Sequence, residues 1–165
     1  ITGNGTVRQA MKEHSSALEE GKADILGLYM VQKLREKGEI TEGVVMDNYV
    51  TFLAGIFRSV RFGASSAHGR ANMIRFNYFN QAGAFSRNET DGTSRVNKEA
   101  FEQAVRDLSN RILTLQGDGN YDEVDSFVAE MGGVSEQLQN DLDRLASATI
   151  PVDIVFEQGV EVLGL

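Results

Sequence analysis

Cysteine and tryptophan are absent from the 165 residues, proline occurs once and histidine twice. Without cysteine there is neither a disulfide framework nor a thiolate site, which fits a reducing, cytoplasmic setting, and any metal must be held by His, Asp or Glu. Basic charge is also short, with 16 Lys and Arg against 24 Asp and Glu and a net charge of -8. Phosphate binding needs a surplus of cations gathered into a patch; none is visible, so nucleic acid is not an expected partner. No apolar run reaches bilayer-spanning length, and the N-terminus lacks the charged and apolar regions of a signal peptide, so no membrane partner is expected either. The chain starts at Ile1 instead of Met, and its one proline is Pro151, features expected of a processed product or a fragment.

What is present is a hydrophobic content of 41%, enough at this length for one domain with a buried core. The pattern is mainly helical. Residues 1–9 are rich in Gly, Asn and Thr and predict a loop. Good helix formers run from Met11 to Lys37 and stop at Gly38; Ile25 to Val31 is apolar on every side, which predicts burial all round. A second helix is expected from an N-cap at Thr41 to Phe62, and a third from Ser65 or Ser66 to Gly83. The polar stretch 86–97, with Asp91-Gly92 at its centre, predicts a small β hairpin. A fourth, amphipathic helix runs from Asn97 to Gln116, then shorter ones at 121–131 and 135–147, and an extended tail beyond Pro151.

The chemistry concentrates in SSALEEGKADILGLYMV, where Glu19, Glu20 and Asp24 precede the most apolar section of the first helix. Positions four apart share a helix face, so Glu20 and Asp24 point the same way. Carboxylates beside a buried stretch need a cation or donors, since desolvating each charge costs several kcal/mol. One reading is a solvated face paired with Lys12, Lys22 or Lys33. The sharper one is a metal-binding helix, with one glutamate on the metal and its neighbours orienting histidines from elsewhere.

Here the sequence resembles peptidases of the dipeptidyl peptidase III type, peptidase family M49. These zinc enzymes combine a His-Glu-x-x-x-His motif with a downstream Glu-Glu-x-x-Ala-Asp/Glu helix, and Glu19-Glu20-Gly21-Lys22-Ala23-Asp24 matches the second element. A further match is AHGRANMIRFNYFNQAG, Ala67 to Gly83, which resembles the family helix that begins Ala-His and ends Ala-Gly. The resemblance covers roughly residues 11–85, with PVDIVFEQG similar to family C-termini. It implies a multi-helix, C-terminal part of a catalytic domain, zinc as cofactor and a peptide substrate from whose N-terminus dipeptides are released. Glu20 would be a zinc ligand, Glu19 and Asp24 would hydrogen-bond the zinc-binding histidines, and His68 would stabilise the substrate carbonyl. Where the family often has a substrate-holding arginine this chain has Asn72, so Arg70 or Arg75 is the alternative for that task. Some bacterial relatives resemble this pattern while joined to a Nudix-type domain, whose signature does not occur here.

The chain has no His-Glu-x-x-x-His of its own, and without it there is no general base and there are two fewer zinc ligands. The opening ITGNGT resembles the family segment just downstream of that motif, so the N-terminal remainder of the same protein is the expected partner, and this chain alone is expected to be inactive. His14 and Glu20 lie about 600° apart around a helix, too far for a private metal site. Asp118, Asn120 and Asp122 begin like a calcium loop, but Glu123 and Ala129 occupy the positions that need Gly and Glu. No phosphate loop and no Gly-x-Ser-x-Gly elbow occurs. The competing class is a non-catalytic, acidic helical module that binds a partner.

Overall fold

The computed structural model describes residues 5–154, 156–162 and 164, which form two compact units, Ile1–Val134 and Ser135–Leu165. The first unit is helical with one small hairpin, as the pattern predicts.

Its opening departs from the predicted loop. Thr6 accepts the Gln9 N–H at 3.3 Å and donates its own N–H to the Gln9 side chain at 2.9 Å. This reciprocal cap starts α1 (Val7–Met11) early. Lys12 then adopts φ +49 and breaks the expected continuous helix into α1, a 3-10 turn at Lys12–His14, and α2 (Ser15–Glu36). Tertiary contacts hold the break: Lys12 Nζ sits 3.9 Å over the Tyr121 ring, and Tyr121 donates to the Glu13 carboxylate. α2 ends ahead of Gly38, which turns the chain at φ +76.

Burial of α2 on every side does not hold. Ile25, Leu28 and Gln32 face the core, while Met30 is 53% exposed. Its neighbours α4 and α5 cover one flank only, so the opposite flank is apolar but open.

The second helix, α3 (Val45–Val60), starts three residues later than an N-cap at Thr41 predicts. Gly43 turns the chain at φ +67, and the Asp47 carboxylate accepts the Val44 N–H at 3.1 Å. Arg35 pins the preceding turn, donating to the Glu42 and Gly43 carbonyls at 2.6 and 3.1 Å and to Asn48 at 3.0 Å. α4 (Ala67–Gln81) is capped by Ser66, whose hydroxyl accepts the Gly69 N–H at 3.0 Å, and closes before Gly83. The hairpin pairs β1 (Phe85–Arg87) with β2 (Ser94–Val96), Phe85 opposite Val96. Its connection is longer than a two-residue Asp-Gly turn. The Asn88 and Asp91 side chains accept the Thr90 and Thr93 N–H groups, each at 2.9 Å, and so stabilise a six-residue loop.

Asn97 caps α5 (Lys98–Asp118), whose buried Phe101, Val105, Leu108, Ile112 and Leu115 keep the predicted spacing. α6 (Tyr121–Met131) starts from an Asn120 cap. The core lies among α2, α3, α4 and α5, where Phe101 stacks on Tyr49 at 4.7 Å and packs against Phe79 at 4.5 Å between ring centres.

The second unit holds α7 (Glu136–Ser147), capped by Ser135. Beyond it the described residues form neither helix nor strand; bends and turns interrupt the expected extended tail, and Ile154, Phe156, Val160 and Val162 are exposed. Among the described residues no helix is long and apolar enough to cross a membrane.

Candidate functional site

Two helices build the site. On α2 the buried stripe runs Leu18, Gly21, Ile25, Leu28, so Glu19 falls to one flank while Glu20 and Asp24, one turn apart, fall to the other. The seam at Gly21 has room for a methyl: a Cβ there would lie in ordinary contact, 3.7 Å from Ile112 Cδ1 on α5 and 3.8 Å from Ala71 Cβ on α4. On α4 the first turn is set by Ser66 and by a close approach of loop backbone, since a Cβ on Gly69 would stand 2.3 Å from the Gly63 carbonyl. His68 therefore has a fixed starting point on the face toward α2.

His68 Nδ1 stands 3.4 Å from Glu20 Oε2, and both side chains are open to solvent, at 71% and 41% exposure. One turn along, Asp24 Oδ2 is 2.7 Å from Arg75 Nη1, with the Asp24 side chain 52% exposed and that of Arg75 only 3%. The Nη1 contact is off the angle of a good hydrogen bond and acts as an ion pair, and among the described residues Nε has no acceptor. Arg75 Nη2 donates to Asn72 Oδ1, and Asn72 Nδ2 donates to Ser59 Oγ on α3 at 2.6 Å. Burial pushes the Arg75 guanidinium below its ordinary pKa, and the Asp24 carboxylate opposes that shift.

The structure thus brings together Glu20, Asp24, His68, Asn72 and Arg75. Glu19 points to the α5 flank, where it accepts from Gln116 at 2.8 Å and pairs with Lys22 at 2.8 Å. Arg70 is half-buried, its stem lying against Gly132 at the end of α6. His14 is elsewhere, 2.9 Å from Asp125 and stacked on Tyr121. Ser59 and Gln116 have no local signal in the sequence; their roles come from packing partners across α3 and α5.

Among the described residues no group of three or more His, Cys, Asp or Glu could hold a metal. The donor set fits one oxygen ligand of a zinc site, Glu20, with carboxylates beside it, and does not fit a complete site. ITGN, residues 1–4, lies outside the described residues, as does Val155 within PVDIVFEQG.

The site is a solvent-facing carboxylate pair one turn apart, with an imidazole from a crossing helix. Comparison with solved structures gives the particular likeness. The chain superposes on dipeptidyl peptidase III from Caldithrix abyssi with a TM-score of 0.84 and 39% identity, over 90% of this chain and 28% of that one. It superposes likewise on dipeptidyl-peptidase III from Corallococcus sp. strain EGB, with a TM-score of 0.83 and 39% identity, over 90% of this chain and 27% of that one. Its fold is that of a segment of dipeptidyl peptidase III, as the two helix motifs imply. A curated relative, Nudix hydrolase 3 of Arabidopsis thaliana, is 41% identical over 149 residues, 90% of this chain and 19% of its own length. The chain therefore spans less than a third of each of these proteins. No family model matches it.

Proposed function

We propose that this chain supplies the glutamate side of a dipeptidyl peptidase III type active site, releasing dipeptides from peptide N-termini when joined to a His-Glu-x-x-x-His segment of the same protein. The observation that carries this reading is the convergence of Glu20 and His68, 3.4 Å apart on an open face shared with Asp24. Glu20 is the zinc ligand of the chain, and Asp24 accepts an N–H group from a zinc-binding histidine of the joined segment, whereas Glu19 is held by Gln116 and Lys22 on the α5 flank and is not given that role. Zinc, when bound, supplies Lewis acidity that lowers the pKa of a water and polarises the scissile carbonyl. His68, open to solvent at the head of α4, donates to the carbonyl oxygen as negative charge develops on it.

Of the three residues considered for holding the substrate, Asn72 and Arg75 are buried in the Ser59 and Asp24 contacts. Arg70 lies about 200° around α4 from His68, with its stem against Gly132 at the end of α6, so it faces away from the site and none of the three is assigned to the substrate. The name of the Arabidopsis relative points to a different hydrolase. We assign the matching 19% of that protein to a peptidase-like part, because the same stretch of this chain matches the dipeptidyl peptidase III structures.

The test is hydrolysis of a dipeptidyl arylamide by the protein in which this chain is joined to the histidine segment. Activity that depends on zinc, and that His68→Ala lowers in kcat more than in KM, is the expected result. A partner-binding acidic module predicts no turnover at all, and turnover indifferent to His68→Ala removes the role assigned to it.

A further inference from the structure

Arg75 is the one buried ionic side chain among the described residues. A buried cation is destabilising unless it is paired and hydrogen-bonded, and an apolar residue would fill the same space without that cost. Its surroundings hold the guanidinium on three sides. Nη1 meets Asp24 at 2.7 Å, Nη2 donates to Asn72, and Phe52 on α3 presents its ring 5.6 Å from the guanidinium carbon. Asn72 is itself fixed by Ser59 at 2.6 Å. The result is a chain of contacts from α3 through α4 to α2 that ends on a half-exposed carboxylate. An exposed aspartate on a helix ordinarily samples several rotamers. Here one carboxylate oxygen is engaged from beneath, and a carboxylate retains acceptor capacity on the other.

We propose that Arg75 is a positioning residue: locked by Asn72 and Ser59, it fixes the Asp24 carboxylate so that Asp24 can orient a histidine donated to the face shared by Glu20 and His68. This deepens the reading above and rests on it. It also separates Arg75 from substrate handling, because a guanidinium gripped on three sides and 3% exposed has no face left for a peptide. The planar fork matters, since it presents separate N–H groups to Asp24 and Asn72 in a fixed geometry that the single ammonium of a lysine does not reproduce.

The experiment uses the zinc-loaded protein in which this chain is joined to its histidine segment. Zinc affinity is read by competition with a chelator, and the thermal midpoint is followed beside it. Arg75→Met is expected to weaken zinc binding by about 10- to 100-fold, the usual effect of losing an outer support of a ligand. Arg75→Lys is expected to restore only part of that loss. In an Asp24→Asn background, Arg75→Met is expected to add no further loss, because Arg75 acts through Asp24; equal losses in both backgrounds overturn the proposal. Asn72→Ala leaves the ion pair but releases the fork, and it covers the case in which Arg75→Met fails to fold. A several-fold loss of zinc affinity is expected there, and unchanged affinity overturns the proposal. Zinc lost in Glu20→Ala but unaffected by Arg75→Met removes the positioning role alone, whereas zinc retained in Glu20→Ala removes the underlying reading.

Discussion

Gly69 and Gly21 both lie in helices of the candidate site, and the same substitution is expected to have opposite effects at the two. In an ordinary helix interior, Gly→Ala is stabilising by roughly 0.5–1 kcal/mol because alanine loses less backbone entropy on folding. At Gly69 the added Cβ would stand 2.3 Å from the Gly63 carbonyl oxygen and 3.0 Å from Ala64 Cα, both backbone atoms. That is roughly 1 Å inside contact distance. The loop cannot easily retreat, because Gly63 already holds φ +94 and Ser66 is tied to the Gly69 N–H. Overpacking of this kind costs about 1–3 kcal/mol. Set against the helix gain, Gly69→Ala is expected to be destabilised by about 1–2 kcal/mol, a fall in Tm of about 2–8 °C for a chain of this size. At Gly21 the new methyl would meet side chains at 3.7 and 3.8 Å, ordinary contact, so Gly21→Ala should raise Tm by about 1–4 °C. Thermal unfolding followed by far-ultraviolet circular dichroism reads both. A Gly69→Ala protein as stable as the parent would refute the close approach that sets the first turn of α4 and the starting point of His68.

Two further outcomes rest on local physics. Burial raises the phenols of Tyr49 and Tyr78, and the hydrogen bond to the Glu13 carboxylate pushes Tyr121 up to about 12. A raised tyrosine pKa favours the protonated form in the fold. The contribution is therefore present below the unfolded value of about 10 and is lost as pH rises from there through the folded value. Alkaline titration by phenolate absorbance should show these three lagging, with Tyr121→Phe removing one lagging phenol; a single normal transition would contradict the contacts. Asn97→Ala removes the cap whose side chain accepts the Ala100 N–H at 3.2 Å, and should cost about 1 kcal/mol in urea unfolding without changing the m-value.

Much of the architecture is legible in local pattern. Ser66 before a helical run, Asn97 before the Phe101 to Leu115 stripe, and glycines at 38, 63 and 83 with positive φ mark element ends through capping and turn chemistry. The departures have tertiary causes. Lys12 breaks its helix where Tyr121 reaches across, and α3 starts at Val45 because Arg35 holds the turn before it. The open flank of α2 at Met30 shows the limit of hydrophobicity as a guide, since an apolar stretch marks what can be covered and not what is. In the site, the proximity of Glu20 and His68 is implied by two helix motifs in order. The burial of Arg75 is not, because it depends on Phe52 and Ser59 from α3, with which it shares no periodicity.

The most direct measurement is the zinc content of the protein that joins this chain to its His-Glu-x-x-x-His segment, compared with its Glu20→Ala variant by metal analysis after dialysis against a chelator. The account predicts about one zinc per parent chain and its loss from the folded variant, since a site with three protein ligands loses one. Full retention of zinc by Glu20→Ala would contradict it.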